Sequence, residues 1–303
     1  MIKFKSLHDL GKVFPTEKSC IKYLERHRWN GIITSPFDPN SKIYKCANNW
    51  YKCKTTGKRF NAKTGTIFKG TKISLQIWFW ALYNLVNRKK GISSHQLHRD
   101  TGITQASAWH LLKDLRSNLE QSNFFKGMFK NEIEIDETYL GGKNKNRHWN
   151  KKVLNSQGRS WKDKTPVLVI KKRKGNVIAI VVPNVKRRTL EPIIRKYIKK
   201  GSSIYTDEWY AYDNLYREFN HQRVIHKKGQ YVNGKASTNC AENFNVCLKR
   251  GIYGTHHWVS KKYTQVYVDE VVFRYNTRER SNQERFDLVL GSVMNNSYQQ
   301  LIN

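Results

Sequence analysis

The chain has 303 residues, enough for two or three domains with a substantial core. Lys and Arg number 56 against 23 Asp and Glu, a formal net charge of +33, which points to a polyanionic partner, nucleic acid first. An aromatic content of 13% with nine Trp argues against a histone-like or ribosomal structural role, and no 18-residue apolar run marks a membrane-spanning helix.

The opening Met-Ile-Lys-Phe-Lys-Ser has no apolar core of a signal peptide. Five Cys without a secretory signal fit free thiols in a reducing compartment. The expectation is a cytoplasmic, nucleoid-associated bacterial protein that works on DNA or RNA, with no membrane partner.

Residues 11–31 read as a helical lead-in. Residues 31–68, rich in Pro, Asn, Gly and Thr, read as short strands of a β-ribbon. A zinc ion commonly staples so small a unit. The two Cys-x-x-Cys knuckles this needs are absent, and Cys46 and Cys53 have six residues and no His between them, so no zinc is expected. The ribbon is expected to be held by Trp29, Tyr44, Trp50, Tyr51 and Phe60.

Residues 72–88 form an apolar, buried helix with Ser74 as its cap. Ser93–Asp100 reads as a short helix, Thr101-Gly102-Ile103 as a tight turn, and Gln105–Asn118 as a longer helix capped by Thr104. That order is a helix-turn-helix, whose second helix would present Gln105, Ser107, His110 and Lys113 to the major groove. A helical hairpin used only for packing is the alternative.

In Glu132–Gly142, Ile133 and Ile135 alternate with Glu132, Glu134 and Asp136, the period of a strand. Four carboxylates within six residues are unusual there, because Asp and Glu are poor strand formers. Glu132, Glu134 and Asp136 would share one face, and Glu137 would turn to the other. A divalent cation would offset the crowding; a solvated acidic edge strand is the competing reading.

Between Gly141 and Lys200 there are 19 Lys or Arg against Asp163 and Glu191. With Trp149 and Trp161 interleaved, this stretch reads as a phosphate-tracking surface. Val167–Lys171 and Val177–Val182 form a hairpin, Thr189–Lys199 an amphipathic helix, and 203–207 a strand ending on Asp207. A helix over 210–219, a strand around 223–226, and helices over 238–249 and 261–275 follow. The order makes an α/β domain with a mixed sheet. It brings Asp136, Asp207 and Glu242 together, oxygen ligands suited to two Mg²⁺ or Mn²⁺ ions for phosphodiester chemistry.

Three motifs sharpen this picture: Ile-Asp-Glu-Thr-Tyr-Leu-Gly-Gly-Lys (135–143), Ile-Tyr-Thr-Asp-Glu-Trp-Tyr-Ala-Tyr (204–212), and Thr-Asn-Cys-Ala-Glu-Asn-Phe (238–244) followed by Leu-Lys-Arg-Gly-Ile-Tyr-Gly-Thr-His-His (248–257). They resemble the DDE transposases of bacterial insertion sequences, in the ISXO-type branch, over roughly residues 15–280. The resemblance implies an RNase H-like catalytic domain with a mixed sheet flanked by helices. It implies Asp136 and Asp207 as catalytic metal ligands and Glu242 as the third, with Asn239 or Asn243 as competitors.

Lys249 matches a basic residue that contacts the DNA end; Arg250, Lys143, Lys145 and Arg147 complete the DNA-facing set. The family's zinc ribbon is degenerate here: Ser35-Pro36-Phe37-Asp38 and Cys53-Lys54-Thr55-Thr56-Gly57 keep one Cys of four. The expected organisation is a lead-in and degenerate zinc-ribbon-like region (1–70), a helix-turn-helix region (71–125), an RNase H-like domain (130–280) and a C-terminal tail (281–303). The expected activity is cleavage of element ends in double-stranded DNA and strand transfer by a dimer or higher oligomer. A nuclease that only hydrolyses and a non-catalytic DNA-binding regulator are the rivals.

Overall fold

Each of the first five helices among the described residues begins on a hydroxyl that accepts the N–H three residues on. Ser6 starts α1 (Leu7–Val13), Thr16 α2 (Glu17–Trp29), Ser74 α3 (Leu75–Asn87), Ser93 α4 (Ser94–Thr101) and Thr104 α5 (Gln105–Ser117). The structure, a computed structural model, describes residues 3–142, 144–154, 156, 160, 163–225, 230 and 232–302. The chain folds as two units: Met1–Leu119 with Glu279–Asn303, and Glu120–Arg278.

In the first unit, β1 (Ile43–Lys45), β2 (Tyr51–Cys53) and β3 (Arg59–Phe60) form a three-stranded antiparallel sheet. Trp29 packs edge-on against Tyr51 and Phe60, with ring centroids 5.3 and 6.0 Å away. Tyr44 and Trp50, expected in this cluster, are exposed. Tyr44 pairs across the sheet with Lys52, on the outward face, whereas Tyr51 and Cys53 point inward. Buried Ser35 closes the preceding turn, its Oγ accepting from the Phe37 and Asp38 amides. Helices α4 and α5 meet at Gly102, whose left-handed φ of 74° lets the chain leave α4 within one residue.

The second unit is built on β4 (Glu132–Leu140), β5 (Thr165–Lys172) and β6 (Val177–Val181), successive antiparallel neighbours. After α6 (Arg187–Tyr197), β7 (Ser203–Thr206) pairs parallel to β4. The helix expected over 210–219 is a 3₁₀ helix, Tyr210–Arg217, and β8 (Asn220–Arg223) pairs parallel to β7. The five-stranded mixed sheet runs β6-β5-β4-β7-β8, with β4 in the middle.

Alternation along β4 sends Ile133 and Ile135 to a core containing α6 residues and the 3₁₀ segment. Its other face joins Leu140 to a core containing residues of α7 (Asn239–His256) and α8 (Thr264–Asn276).

Helix α7 is docked on β4 by a carboxylate. Glu134, fully buried, accepts from the backbone amides of Cys240 (2.7 Å) and Ala241 (3.0 Å), in the first turn of α7. Its other oxygen accepts from Arg173 Nε at 2.7 Å. Unpaired N–H groups and the positive end of a helix dipole make that turn a good seat for an anion.

The last helix, α9 (Asn282–Ile302), runs through the stretch expected as a C-terminal tail over 281–303. It belongs to the first unit, where Phe286, Val289, Leu290 and Val293 are buried. Their i, i+3, i+4, i+7 spacing makes one apolar stripe. The Phe286 ring lies 5.3 Å from both Phe4 and Phe79.

Phe286→Ala should cost about 3–5 kcal/mol of stability in urea unfolding; a loss below about 1 kcal/mol would show that α9 is not part of that core. Glu134→Leu leaves two helix-end amides without their acceptor and takes from the half-buried Arg173 its shortest ion pair, so a loss of about 3 kcal/mol is expected. Glu134→Gln, which keeps an acceptor oxygen, should lose less, and equal losses would argue against the anion–helix contact.

Candidate metal centre

The parallel pairing of β4 with β7 covers only Glu132 to Glu134. Beyond it β7 ends at Thr206, while β4 continues to Leu140. Asp207, the first residue after β7, therefore comes beside the uncovered part of β4. Carboxylate oxygens of Asp136, Glu137 and Asp207 all lie within 4.8 Å of one another.

Asp136 and Asp207 thus meet as expected. Glu137, expected to face away, is the third member of the group. Alternation does send it to the opposite side of β4 from Asp136, but no β7 backbone fills the notch, and its longer side chain reaches the same place. Glu242 is not a member of the group; its Oε1 accepts from Thr238 Oγ1 at 2.8 Å. What α7 presents to Asp136 is Asn245, whose Nδ2 donates to Asp136 Oδ2 at 2.7 Å. Sequence reasoning missed Asn245, although its place three residues after Glu242 and four before Lys249 puts all three on one helical face.

Each acid is held in place. Asp136 Oδ1 accepts from the Glu137 amide at 2.9 Å. Asp207, 7% exposed, accepts from the Trp209 amide at 3.0 Å, which turns the chain as it leaves β7. Glu137 accepts from the Tyr212 hydroxyl. Burial foremost, then the Glu137 charge, and more weakly Asp207 and Asp136, hold the Tyr212 phenol well above its usual pKa. All three acids thus act on one buried phenol in the same direction.

Three carboxylates this close repel one another, and a cation offsets that repulsion. The donors are all oxygen, which suits Mg²⁺ or Mn²⁺ and not a thiolate-seeking metal. Asp136, Glu137 and Asp207 would hold the ion.

Glu132 and Glu134 belong elsewhere. Glu132 accepts from the Tyr205 hydroxyl at 3.1 Å and pairs loosely with Arg173 at 3.5 Å; Glu134 holds α7.

Of the expected DNA-facing residues, Arg250 and Lys145 are exposed and Lys249 is half-buried. Arg147 is half-buried and donates to the Asp163 carbonyl at 3.0 Å, tying its loop down. Lys143, together with Trp161 of the basic stretch, lies outside the described residues.

In α5, Gln105 donates to Ser94 Oγ at 2.9 Å and so ties the two helices together, while Ser107 receives the Thr104 hydroxyl at 2.9 Å. His110 is exposed, and Lys113 lies half-buried over the Trp109 ring.

No helix among the described residues is long and apolar enough to cross a membrane.

Comparison with known proteins bears on the same region. The profile of the ISXO2-like transposase domain matches residues 128–276, which span β4 to α8. An uncharacterized protein in transposable element ISH50 of Halobacterium salinarum is 26% identical over 300 residues, covering 93% of this chain and 99% of the relative. An uncharacterized transposase-like protein of Haemophilus influenzae is 34% identical over 132 residues, 40% of this chain and 99% of the relative. Sharing that domain, and resembling one relative along nearly its whole length, the chain belongs to the insertion-sequence transposases of the ISXO2-like branch.

Proposed function

We propose that this transposase cuts the ends of its element and joins them to target DNA at a divalent-metal centre on an RNase H-like sheet. The observation that carries this reading is the convergence of Asp136, Glu137 and Asp207 within a chain of net charge +33. Acids gathered at one point in so basic a chain divide the labour: Lys and Arg hold the DNA backbone, and the carboxylates hold Mg²⁺ or Mn²⁺.

The chemistry supplied there is Lewis-acid polarisation of the scissile phosphate and activation of an attacking water or DNA 3′-hydroxyl, with two ions as the favoured complement. Asp136 and Asp207 are the central ligands. Glu137 joins them from one side of the sheet and Glu242, on α7, supplies the remaining carboxylate. Lys249 and Arg250, further along α7, bind phosphates of the element end, and Lys143, Lys145 and Arg147 extend that track.

In the first unit, α4 and α5 form a helix-turn-helix that reads the terminal repeats. His110 and Lys113, both packed on the Trp109 ring, are its candidates for base or phosphate contact, while Gln105 and Ser107 act mainly within the fold. Two ends must be handled together, so the working form is a dimer or higher oligomer on double-stranded DNA, associated with the nucleoid.

Labelled terminal-repeat DNA with Mg²⁺ tests the whole reading: nicking followed by joining is expected. Binding alone, or nicking without joining, would replace it by a regulator or a simple nuclease. Asp136→Asn and Asp207→Asn should each lower cleavage by about a thousandfold while leaving DNA affinity within about threefold, less than 1 kcal/mol.

Glu242→Gln should behave likewise. Wild-type cleavage in that variant would move the third carboxylate role to Glu137. Separately, Lys113→Ala should lower the slope of log affinity against log salt by about one, and an unchanged slope would remove α5 from the DNA interface.

A further inference from the structure

Asn245 is a buried amide with only half of its hydrogen-bonding capacity in use. The side chain is 6% exposed, its Nδ2 donates to Asp136 Oδ2 at 2.7 Å, and its Oδ1 has no partner and almost no exposed surface. Leaving a buried carbonyl oxygen unpaired costs about 1–3 kcal/mol, so such an atom calls for a use. Both amide atoms hang from one carbon, so Oδ1 stands close to the Asp136 carboxylate.

A second orphan lies on the same side. Thr138, 2% exposed, follows Asp136 by two residues on β4 and therefore shares its face, and Thr138 Oγ1 likewise has no partner. Two buried, unpaired oxygens thus lie on the Asp136 side of β4, and that of Asn245 is the one beside its carboxylate.

We propose that Asn245 is a positioning residue of the cation centre: its amide N–H holds Asp136, and its carbonyl oxygen adds a neutral donor to the shell of the bound cation. The inference rests on the reading of Asp136, Glu137 and Asp207 as a metal site, and it adds to the part assigned to Glu242 without replacing it. The division of roles follows from charge. A carboxylate at this position would meet Asp136 at hydrogen-bond distance as a like charge, whereas an amide donates to Asp136 and still offers an oxygen to a cation. Partners of this kind commonly change metal affinity by 10- to 100-fold.

The test is Mn²⁺ binding to the full chain without DNA, by calorimetry, alongside the thermal shift that Mn²⁺ produces. Asp136→Asn is the control for the centre itself and should abolish binding; retained wild-type affinity in that variant would remove the metal site and this inference with it. Asn245→Leu, close in shape but without polar atoms, should weaken Mn²⁺ binding by about tenfold. Wild-type affinity there, with Asp136→Asn inactive in binding, would overturn the role of Asn245 and leave the centre standing.

Asn245→Asp guards against a merely structural explanation. It should melt below the wild type without metal, because two carboxylates then face each other, and should gain more than the wild type when Mn²⁺ is added. A gain equal to or smaller than that of the wild type would contradict the proposal.

Discussion

Mutual repulsion among Asp136, Glu137 and Asp207 is the constraint on which the second unit turns. Folding brings their carboxylate oxygens within 4.8 Å of one another, an arrangement that costs free energy until a cation offsets it. The rest of the domain makes that crowding possible. A short β7 and a long β4 create the notch; the Trp209 amide fixes Asp207, Asn245 fixes Asp136, and the Tyr212 hydroxyl fixes Glu137. Glu134 then binds the first turn of α7 to the same strand, so the helix carrying Glu242, Asn245 and Lys249 cannot drift from the acids.

One strand thus carries acids with opposite duties. Glu134 is buried, paired with Arg173 and satisfied by backbone amides, and it acts as structure. Asp136, two residues on along the same face, belongs to the cluster of acids. The difference lies in what faces each residue: a helix N-terminus and a guanidinium in one case, two further carboxylates in the other. Removing Glu134 therefore threatens the fold, and removing Asp136 breaks up the cluster of acids.

Much of this was legible in the residues. The alternation in 132–136 marked β4, the Lys-Arg-Lys-Gly-Asn turn marked the β5–β6 hairpin, and Ser93, Gly102 and Thr104 marked the limits of α4 and α5. These are local signals, carried by period and by capping chemistry. The meeting of Asp136 and Asp207 followed from strand order once the motifs were recognised. Glu137 did not follow, because a period of two assigns faces but does not show where a neighbouring strand stops. The contacts of Glu134 and Asn245 with their partners, about a hundred residues away in sequence, leave no local trace. The stripe Phe286, Val289, Leu290 and Val293 was a readable helix signal, and α9 is a part of the first unit that pattern alone could have found.

The most direct measurement is anomalous diffraction from crystals of the full chain soaked in Mn²⁺. The account predicts an anomalous peak within coordination distance of Asp136 and Asp207, with Glu137 turned toward it. A map with no peak at these carboxylates, in crystals saturated with Mn²⁺, would contradict it.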